Sequence, residues 1–319
     1  MRGEGEVGGA AEGSLGLKIF KEELSESQLS VLMNMPAILM ITGIIAYPLA
    51  YALYLSFHKV GVGELRTGIM PFYGVNNFLN LLQDSLFWYS VQNTLKFSAI
   101  VVIGEVLLGV GIAFIIEKTE GRLSNFTRLI MLLPWAVPPI INALLWSFIY
   151  SAEYGYLNAI LLGLGFIDHF VMWLGDPKLA LYAVAFAYIW RTTPFSVLLI
   201  HAAMQGIPRE LYEAGNVDGT NAWQSFRYIM LPLIAPTVII VMILRTTWAF
   251  QVFDEIFGMT GGGPGNSTWV ASYYSYRYAF QPPLDVGLGA ASAFVLALMI
   301  GILAFLYIKF LKRSEVEWA

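Results

Sequence analysis

The sequence predicts an all-α integral membrane protein with six transmembrane helices. The 319 residues are 57% hydrophobic and only 13% charged, and their mean hydropathy is +0.65. Soluble domains carry about 25% charged residues, so this chain has too little charge to cover a soluble surface of its size. Its apolar residues form long continuous runs, each long enough to cross the roughly 30 Å hydrocarbon core of a bilayer. A bilayer is the solvent that this composition indicates.

Six apolar segments predict the six helices, and they lie at residues 31–57, 89–116, 129–150, 179–204, 233–254 and 287–311. The runs are continuous and do not alternate polar with apolar residues, which disfavours a membrane β-barrel. Prolines inside them are tolerated because neighbouring helices can satisfy the freed backbone groups. The cluster of Pro134, Pro138 and Pro139 predicts a break or kink early in the third segment.

The distribution of basic residues predicts that both termini are cytoplasmic. With that orientation, eleven Lys and Arg residues lie in inward segments and four in outward segments. Residues 1–30 lack the pattern of a cleaved signal peptide. They are interpreted as a cytoplasmic arm, with a short helix expected from Ser14 to Leu24. Residues 31–311 then form the six-helix transmembrane domain, and residues 312–319 form a cytoplasmic tail.

The longest inward connection is the loop at residues 205–232, and it predicts two short helices. Pro208 suits the first turn of the first helix, where its missing N–H costs nothing. Ile207, Leu211 and Ala214 recur at helical spacing and fall on one face of that helix. An amphipathic helix on the cytoplasmic side is the minimal interpretation of this pattern.

Stop and start signals separate the two short helices. Asp218-Gly219 is a stop signal, because glycine readily takes the left-handed conformation that caps a helix. Asn221, with Gln224 three residues later, forms a capping pair that starts the second helix. The expected product is a helix, a turn and a second helix.

The same loop carries a spaced set of residues, which are Glu213, Ala214, Gly215, Asp218, Gly219, Ile229, Leu231 and Pro232. Three residues separate Gly215 from Gly219, and nine separate Gly219 from Ile229. This spacing resembles the EAA loop of binding-protein-dependent ABC importers, which reads Glu-Ala-Ala, three residues, Gly, nine residues, Ile-x-Leu-Pro. The resemblance implies a coupling helix that docks in a cleft of a separate ATPase subunit, and it makes these eight residues the expected ATPase-coupling residues. Gly215 stands where the second Ala usually lies, and the lost methyl is expected to loosen that turn.

A glycine-rich segment follows the fifth apolar run and reads Phe253-Asp254-Glu255-Ile256-Phe257, then Gly258-Met259-Thr260, then Gly261-Gly262-Gly263-Pro264. No Lys-Ser/Thr pair follows these glycines, which excludes a P-loop. A tight outer turn is a sufficient structural explanation. The segment resembles the signature of the first permease subunit of carbohydrate importers, the group that includes maltose, trehalose and glycerol-phosphate systems. That resemblance spans about residues 31–311 and implies the type I permease fold of ABC importers and a sugar cargo, with a disaccharide such as trehalose or maltose expected.

The clearest ionisable residues inside the predicted spans are Lys96, Glu105, Arg191 and Arg245. Such residues are costly in lipid and usually face the helix bundle or a watery cavity. Lys96 is close enough to the outer surface to extend its charge to water. Glu105 lies deeper and is expected to pair with Arg191 or Arg245. Pairing between helices and a role in solute binding are both open at this stage.

The predicted solute pathway consists of Trp190, Arg191, Thr192, Phe195, Arg245, Trp248 and Gln251. Aromatic faces can hold the C–H surface of a sugar, and guanidinium or amide groups can bind its hydroxyls. Binding near the membrane midplane is also what alternating access requires. The resemblance to the maltose-type family implies that the two segments that carry these residues, one in the fourth span and one in the fifth, line the sugar site. Arg191 and Arg245 differ from the maltose type, which leaves the identity of the sugar open.

The remaining composition restricts the chemistry. There are no cysteines, and the three histidines are scattered without metal-ligand spacing, so no disulfide or metal site is expected. The chain has no nucleotide-binding motif and no nucleophile–base pair, so it is not expected to be an enzyme. ATP and Mg are expected in the partner ATPase. The net charge of −4 gives no reason to expect nucleic-acid binding.

The implied assembly lies in a prokaryotic inner or plasma membrane. The expected partners are a second permease subunit, two copies of a cytoplasmic ATPase, an extracellular sugar-binding protein and membrane lipid. Two alternatives stay open. An ion-coupled secondary transporter would depend on Glu105 as its intramembrane carboxylate, and an ABC permease could carry a solute other than a sugar.

Overall fold

The computed structural model describes residues 25–119 and 122–318 of the chain. The helix predicted from Ser14 to Leu24 lies outside the described residues. The chain divides into two compact units, one ending at Leu55 and one beginning at Ser56. Within the described ranges the regular structure is helical, apart from isolated bridges that join His58 to Phe72 and Gly61 to Asp285. The predicted all-α class is confirmed.

Five helices in the described ranges are long and apolar enough to cross a membrane, and there are six if a bent helix pair is one span. We number them span 1 (Ser27–Ser56), span 2 (Ser85–Lys118), span 3 (Leu129–Ala136 with Pro139–Ile149), span 4 (Ala180–Gln205), span 5 (Ala222–Phe250) and span 6 (Val286–Lys309). They correspond to the six predicted segments. Span 5 begins earlier than predicted, because the second short helix of the 205–232 loop continues directly into it.

Shorter helices connect the spans at Val62–Thr67, Asn76–Gln83, Tyr156–Gly163, Arg209–Val217, Asp254–Met259 and Ala271–Phe280. The helix of span 6 continues to Trp318, so the predicted tail is helical almost to its end. Span 1 begins at a capping box, in which Ser25 accepts a hydrogen bond from the backbone of Gln28 and the Gln28 side chain accepts one from Ser25.

Two spans contain a π-helical turn, and in each case a proline follows after one intervening residue. Residues Thr42–Ala46 precede Pro48 in span 1, and residues Ser225–Met230 precede Pro232 in span 5. Proline donates no hydrogen bond, and its ring clashes with the carbonyl four residues earlier. An extra residue in the preceding turn moves that carbonyl aside, so the helix continues past the proline.

Span 3 is broken where the proline cluster predicts it. The helix Arg122–Ala136 ends just after Pro134, and a new helix begins at Pro139. The two parts are bent by 100° relative to each other. Pro139 is suited to the first helical position because the N–H that it lacks has no partner there in any helix. The predicted break is confirmed.

Span 4 is the central helix of the second unit, and 67% of its most apolar stretch is buried. It packs against spans 2 and 5 around buried side chains that include Phe97, Val101, Val184 and Ala249. Gly109 of span 2 allows a close approach, because a Cβ there would lie 3.0 Å from Ile200 and 3.3 Å from Ser196. Small residues at such contacts are typical of helix packing in membranes.

Candidate functional site

The first candidate site is the helix Arg209–Val217 in the 205–232 loop, which we call the loop helix. Pro208 lies one position before its expected place, because it caps the helix from outside and the helix begins at Arg209. The stop signal is confirmed, since Gly219 has φ of +77°. The second start signal is also confirmed, because Asn221 and Gln224 form a reciprocal capping box.

The three residues expected on one face, Ile207, Leu211 and Ala214, differ in burial in the structure. Ile207 is buried, whereas Leu211 and Ala214 are exposed. The loop helix rests on the chain through Gly215 and the half-buried Tyr212 instead. Burial raises the pKa of the Tyr212 hydroxyl, and the nearby Glu117 carboxylate adds to the rise. Apolar positions of the loop helix thus point away from the chain that carries them.

Gly215 is the position where the motif departs from its usual form, and the structure fills the space of the missing methyl. A Cβ on Gly215 would lie 2.9 Å from Ile229 Cδ1 and 2.9 Å from Thr220 Oγ1. Thr220 also donates its backbone N–H to the Gly215 carbonyl at 2.9 Å. The absent methyl therefore leaves no gap, contrary to the expected loosening. Ile229 is the motif residue that meets the loop helix here.

The other expected coupling residues occupy defined positions. Glu213 and Asp218 are exposed on the loop helix and at its end. Leu231 and Pro232 are half-buried at the start of the regular part of span 5, directly after the π turn. A cavity of about 530 Å³ lies beside the loop helix and is lined by Lys118, Arg209 and residues of the following turn. Lys118 places its ammonium group over the rings of Phe114 and Tyr212.

The second candidate site is a layer of buried charge among spans 2, 4 and 5. Glu105 of span 2 accepts hydrogen bonds from both Nε and Nη2 of Arg245 in span 5. Thr192 donates to the same carboxylate at 2.5 Å and Ser196 at 3.4 Å, both from span 4. The side chains of Glu105 and Arg245 are 0% and 2% exposed. One of the two pairings left open by the sequence is thus present.

The other arginine, Arg191, pairs with Glu255. Its Nε and Nη2 atoms lie 3.0 Å and 2.9 Å from the same oxygen, Oε1 of Glu255. The Arg191 side chain is 13% exposed, and that of Glu255 is 2% exposed. Glu255 was not predicted as a partner, since the segment that contains it was interpreted through its resemblance to a signature alone. The pattern of a carboxylate just after span 5 and an unpaired arginine in span 4 is the signal that could have found it.

Tyr188 lies between the two arginines. The Cζ atoms of Arg191 and Arg245 are 5.6 Å and 5.8 Å from the centre of its ring. Cations at this distance over an aromatic face are attracted by its quadrupole. Tyr188 therefore connects the two ion pairs into one layer, and no motif of the sequence includes it.

The structure brings some of the predicted pathway residues together and separates others. The rings of Phe195 and Trp248 are 4.9 Å apart, and Arg245 lies 5.1 Å from the Trp248 ring. Trp190 packs edge-on against Trp146 of span 3 instead. Thr192 is buried on Glu105. Gln251 is exposed at the end of span 5.

The glycine turn, residues 260–264, is fixed by a local set of hydrogen bonds. Gly262 has φ of +85°, and a Cβ on it would lie 2.5 Å from the Trp269 ring, so only glycine fits there. The hydroxyls of Thr260 and Thr268 lie 2.7 Å apart, and Thr268 donates to the Gly263 carbonyl. The expected tight turn is present, and it directly follows the helix that carries Glu255.

Known proteins resemble this chain over most of its length. Residues 106–314 match the family described as binding-protein-dependent transport system inner membrane component. The trehalose/maltose transport system permease protein MalF of Thermococcus litoralis is 37% identical, covering 91% of this chain and 95% of the relative. The sulfoquinovosyl glycerol transport system permease protein SmoG of Agrobacterium fabrum is 34% identical, covering 92% and 93%.

A solved structure shares the fold. A bacterial alginate ABC transporter, in complex with an alginate pentasaccharide-bound periplasmic protein, contains a chain that superposes with a TM-score of 0.76 at 23% identity. The superposition covers 91% of this chain and 94% of that one. The predicted permease fold of ABC importers is confirmed.

Proposed function

This chain belongs to the family of binding-protein-dependent transport system inner membrane components, and we propose that the solute it carries is a sugar, with a disaccharide such as trehalose or maltose as the expected cargo. It is a multi-pass permease subunit of an ABC importer and not itself an enzyme. The names of both relatives refer to glycosides, one neutral and one sulfonated. They support a sugar as the class of cargo more strongly than they support any particular sugar.

The exposed apolar side of the loop helix is the observation that carries the proposed coupling to an ATPase. Val217 is 88% exposed and Leu211 is 42% exposed, on a helix that also presents Glu213. Exposed apolar patches rimmed by polar residues are typical of protein–protein contacts. A cleft of the ATPase would cover this side, and ATP with Mg would bind in that partner.

The layer of rings and arginines supports a sugar as the cargo. Phe195 and Trp248 present half-open rings, and the side chain of Arg191, which lies one helical turn before Phe195, is 13% exposed. Each arginine is neutralised by a carboxylate of its own, so this layer offers hydrogen-bond donors without net charge. Such a surface suits an uncharged polyhydroxyl solute.

The assembly that we infer contains a second permease subunit, two ATPase copies and an extracellular binding protein. Dependence on a binding protein belongs to the family description. The orientation that we infer places both termini and the loop helix in the cytoplasm, because the basic residues favour that side by eleven to four. ATPase closure would then move the loop helix, and the spans would turn from inward-open to outward-open.

An ion-coupled secondary transporter is disfavoured by the state of Glu105. That carboxylate is fully buried and is held by Arg245, Thr192 and Ser196. A coupling carboxylate must exchange protons or cations with water during transport, and this one is enclosed by its partners. Membership of the importer family points in the same direction.

Sugar-stimulated ATP hydrolysis by the whole transporter, purified through this subunit and reconstituted with its binding protein, tests the proposal. We expect trehalose or maltose to stimulate hydrolysis. Glu213→Lys should reduce that stimulation at least tenfold while basal hydrolysis and membrane insertion persist, because Glu213 is exposed. Absence of a co-purifying ATPase, or stimulation unchanged by Glu213→Lys, would contradict the coupling assignment. Stimulation by neither sugar would contradict the cargo.

A further inference from the structure

Trp135 lies at the end of the first half of span 3, and no motif of the sequence includes it. Its ring centre is 5.9 Å from that of Phe195, and Phe195 is in turn 4.9 Å from Trp248. Three spans thus contribute one ring each to a single aromatic surface. Offset and tilted rings at these distances attract one another beyond simple burial.

The backbone and the ion pair fix the two ends of this surface. Trp135 follows Pro134 directly and stands just before the break that ends at Pro139, so its position depends on the bend of span 3. Trp248 lies against Arg245, which Glu105 holds. A surface fixed in this way loses little freedom when a ligand binds, which favours affinity.

The two indole rings keep open area although they pack against Phe195. Trp135 is 47% exposed and Trp248 is 40% exposed, with Phe195 half-buried between them. Polar residues lie one helical turn from two of these rings, since Gln251 follows Trp248 by three residues and Arg191 precedes Phe195 by four. One helical turn separates the members of each pair, so they share a face.

We propose that Trp135 is a specificity-determining residue of the solute pathway and stacks on one ring of a disaccharide while Trp248 stacks on the other. This inference rests on the proposed function. Two separated indoles can each cover the C–H face of one pyranose, and Gln251 and Arg191 are placed to bind hydroxyls. A monosaccharide would use one of the two indoles, so the surface favours a two-ring sugar.

Binding of tritiated trehalose and maltose to the whole detergent-solubilised transporter, arrested with ADP and vanadate, tests this inference without the selectivity of the binding protein. Trp135→Ala should weaken binding of the preferred disaccharide about tenfold, which equals about 1.4 kcal/mol. Trp135→Phe should lose less, because it keeps a ring. Glucose affinity should change less than disaccharide affinity in Trp135→Ala.

Leu133→Ala is the matched control, because Leu133 lies on the same helix and is 65% exposed. It should bind disaccharide as the wild type does. Equal affinity of Trp135→Ala and wild type, as expected for a ring that only contacts lipid, would overturn the inference and leave the proposed function intact. No binding of either disaccharide by the wild type would overturn both.

Discussion

The 205–232 loop and the charged layer among spans 2, 4 and 5 are built from interactions of different range. In the loop, Gly215 meets Thr220 and Ile229, and Asn221 meets Gln224, all within a short stretch of chain. In the layer, Glu105 meets Arg245 across 140 residues. Local spacing fixes the first region, and the packing of distant helices fixes the second. The first can therefore be interpreted from sequence far more completely than the second.

The two ion pairs of the layer also differ from each other. Glu105 and Arg245 are sealed from water, whereas Arg191 keeps 13% of its side chain accessible beside Glu255. Removing one member of a sealed pair leaves the charge of the other member buried and uncompensated. An accessible pair can be compensated in part by water. The sealed pair should serve the fold, and the accessible one is available to a solute.

The largest effect is expected from breaking the sealed pair. Glu105→Gln leaves the Arg245 charge buried without compensation, which should destabilise the protein by about 3–5 kcal/mol. Thermal unfolding in detergent, followed by size-exclusion chromatography, measures the loss. The double variant Glu105→Gln with Arg245→Gln should recover most of the stability. Equal stability of the single and double variants would contradict the sealed-pair interpretation.

A smaller effect is expected from the accessible pair. Glu255→Gln leaves Arg191 unpaired but reachable by water, so the expected cost is about 1–3 kcal/mol. The same unfolding assay compares it with Glu105→Gln. A loss equal to or larger than that of Glu105→Gln would remove the distinction between the two pairs.

The smallest effect is expected in the loop. Gly215→Ala introduces a methyl 2.9 Å from Thr220 Oγ1 and Ile229 Cδ1, and overpacking of this kind costs about 1 kcal/mol or more. Sugar-stimulated hydrolysis should fall about twofold while basal hydrolysis persists. Adding Thr220→Ala should restore part of the loss, because it removes the hydroxyl while Ile229 Cδ1 remains close to the new methyl.

Thr220→Ala alone is the control for that cycle. Within the part of the chain that the structure describes, Thr220 Oγ1 is buried and makes no hydrogen bond, so its removal should change little. If Gly215→Ala is fully active by itself, the close packing of Gly215 has no role in coupling.

Several local features could be predicted from sequence because each depends on neighbouring residues. The break of span 3, the left-handed Gly219 and the capping pair of Asn221 and Gln224 are of this kind. The position of Pro208 was wrong by one residue, since a proline suits both the cap and the first turn.

The contacts between distant helices could not be predicted in the same way. Helical periodicity places Leu211 and Ala214 on one face but does not say whether this chain or a partner covers it. The pairing of Arg191 with Glu255 and the contact of Trp135 with Phe195 depend on how the spans pack and bend. Glu255 and Trp135 are therefore the residues of this region that the sequence did not indicate.

Site-specific labelling of the loop helix tests the central claim most directly, because the chain contains no cysteine. Ala214→Cys places one thiol on the exposed side of the loop helix, and Tyr154→Cys places one on an exposed loop predicted to lie outside. A membrane-impermeant maleimide should label Ala214→Cys only from the cytoplasmic side, with protection when the ATPase is bound, and Tyr154→Cys only from the opposite side. Labelling of Ala214→Cys from outside, or labelling that the ATPase does not reduce, would contradict the assignment of this helix as the ATPase contact.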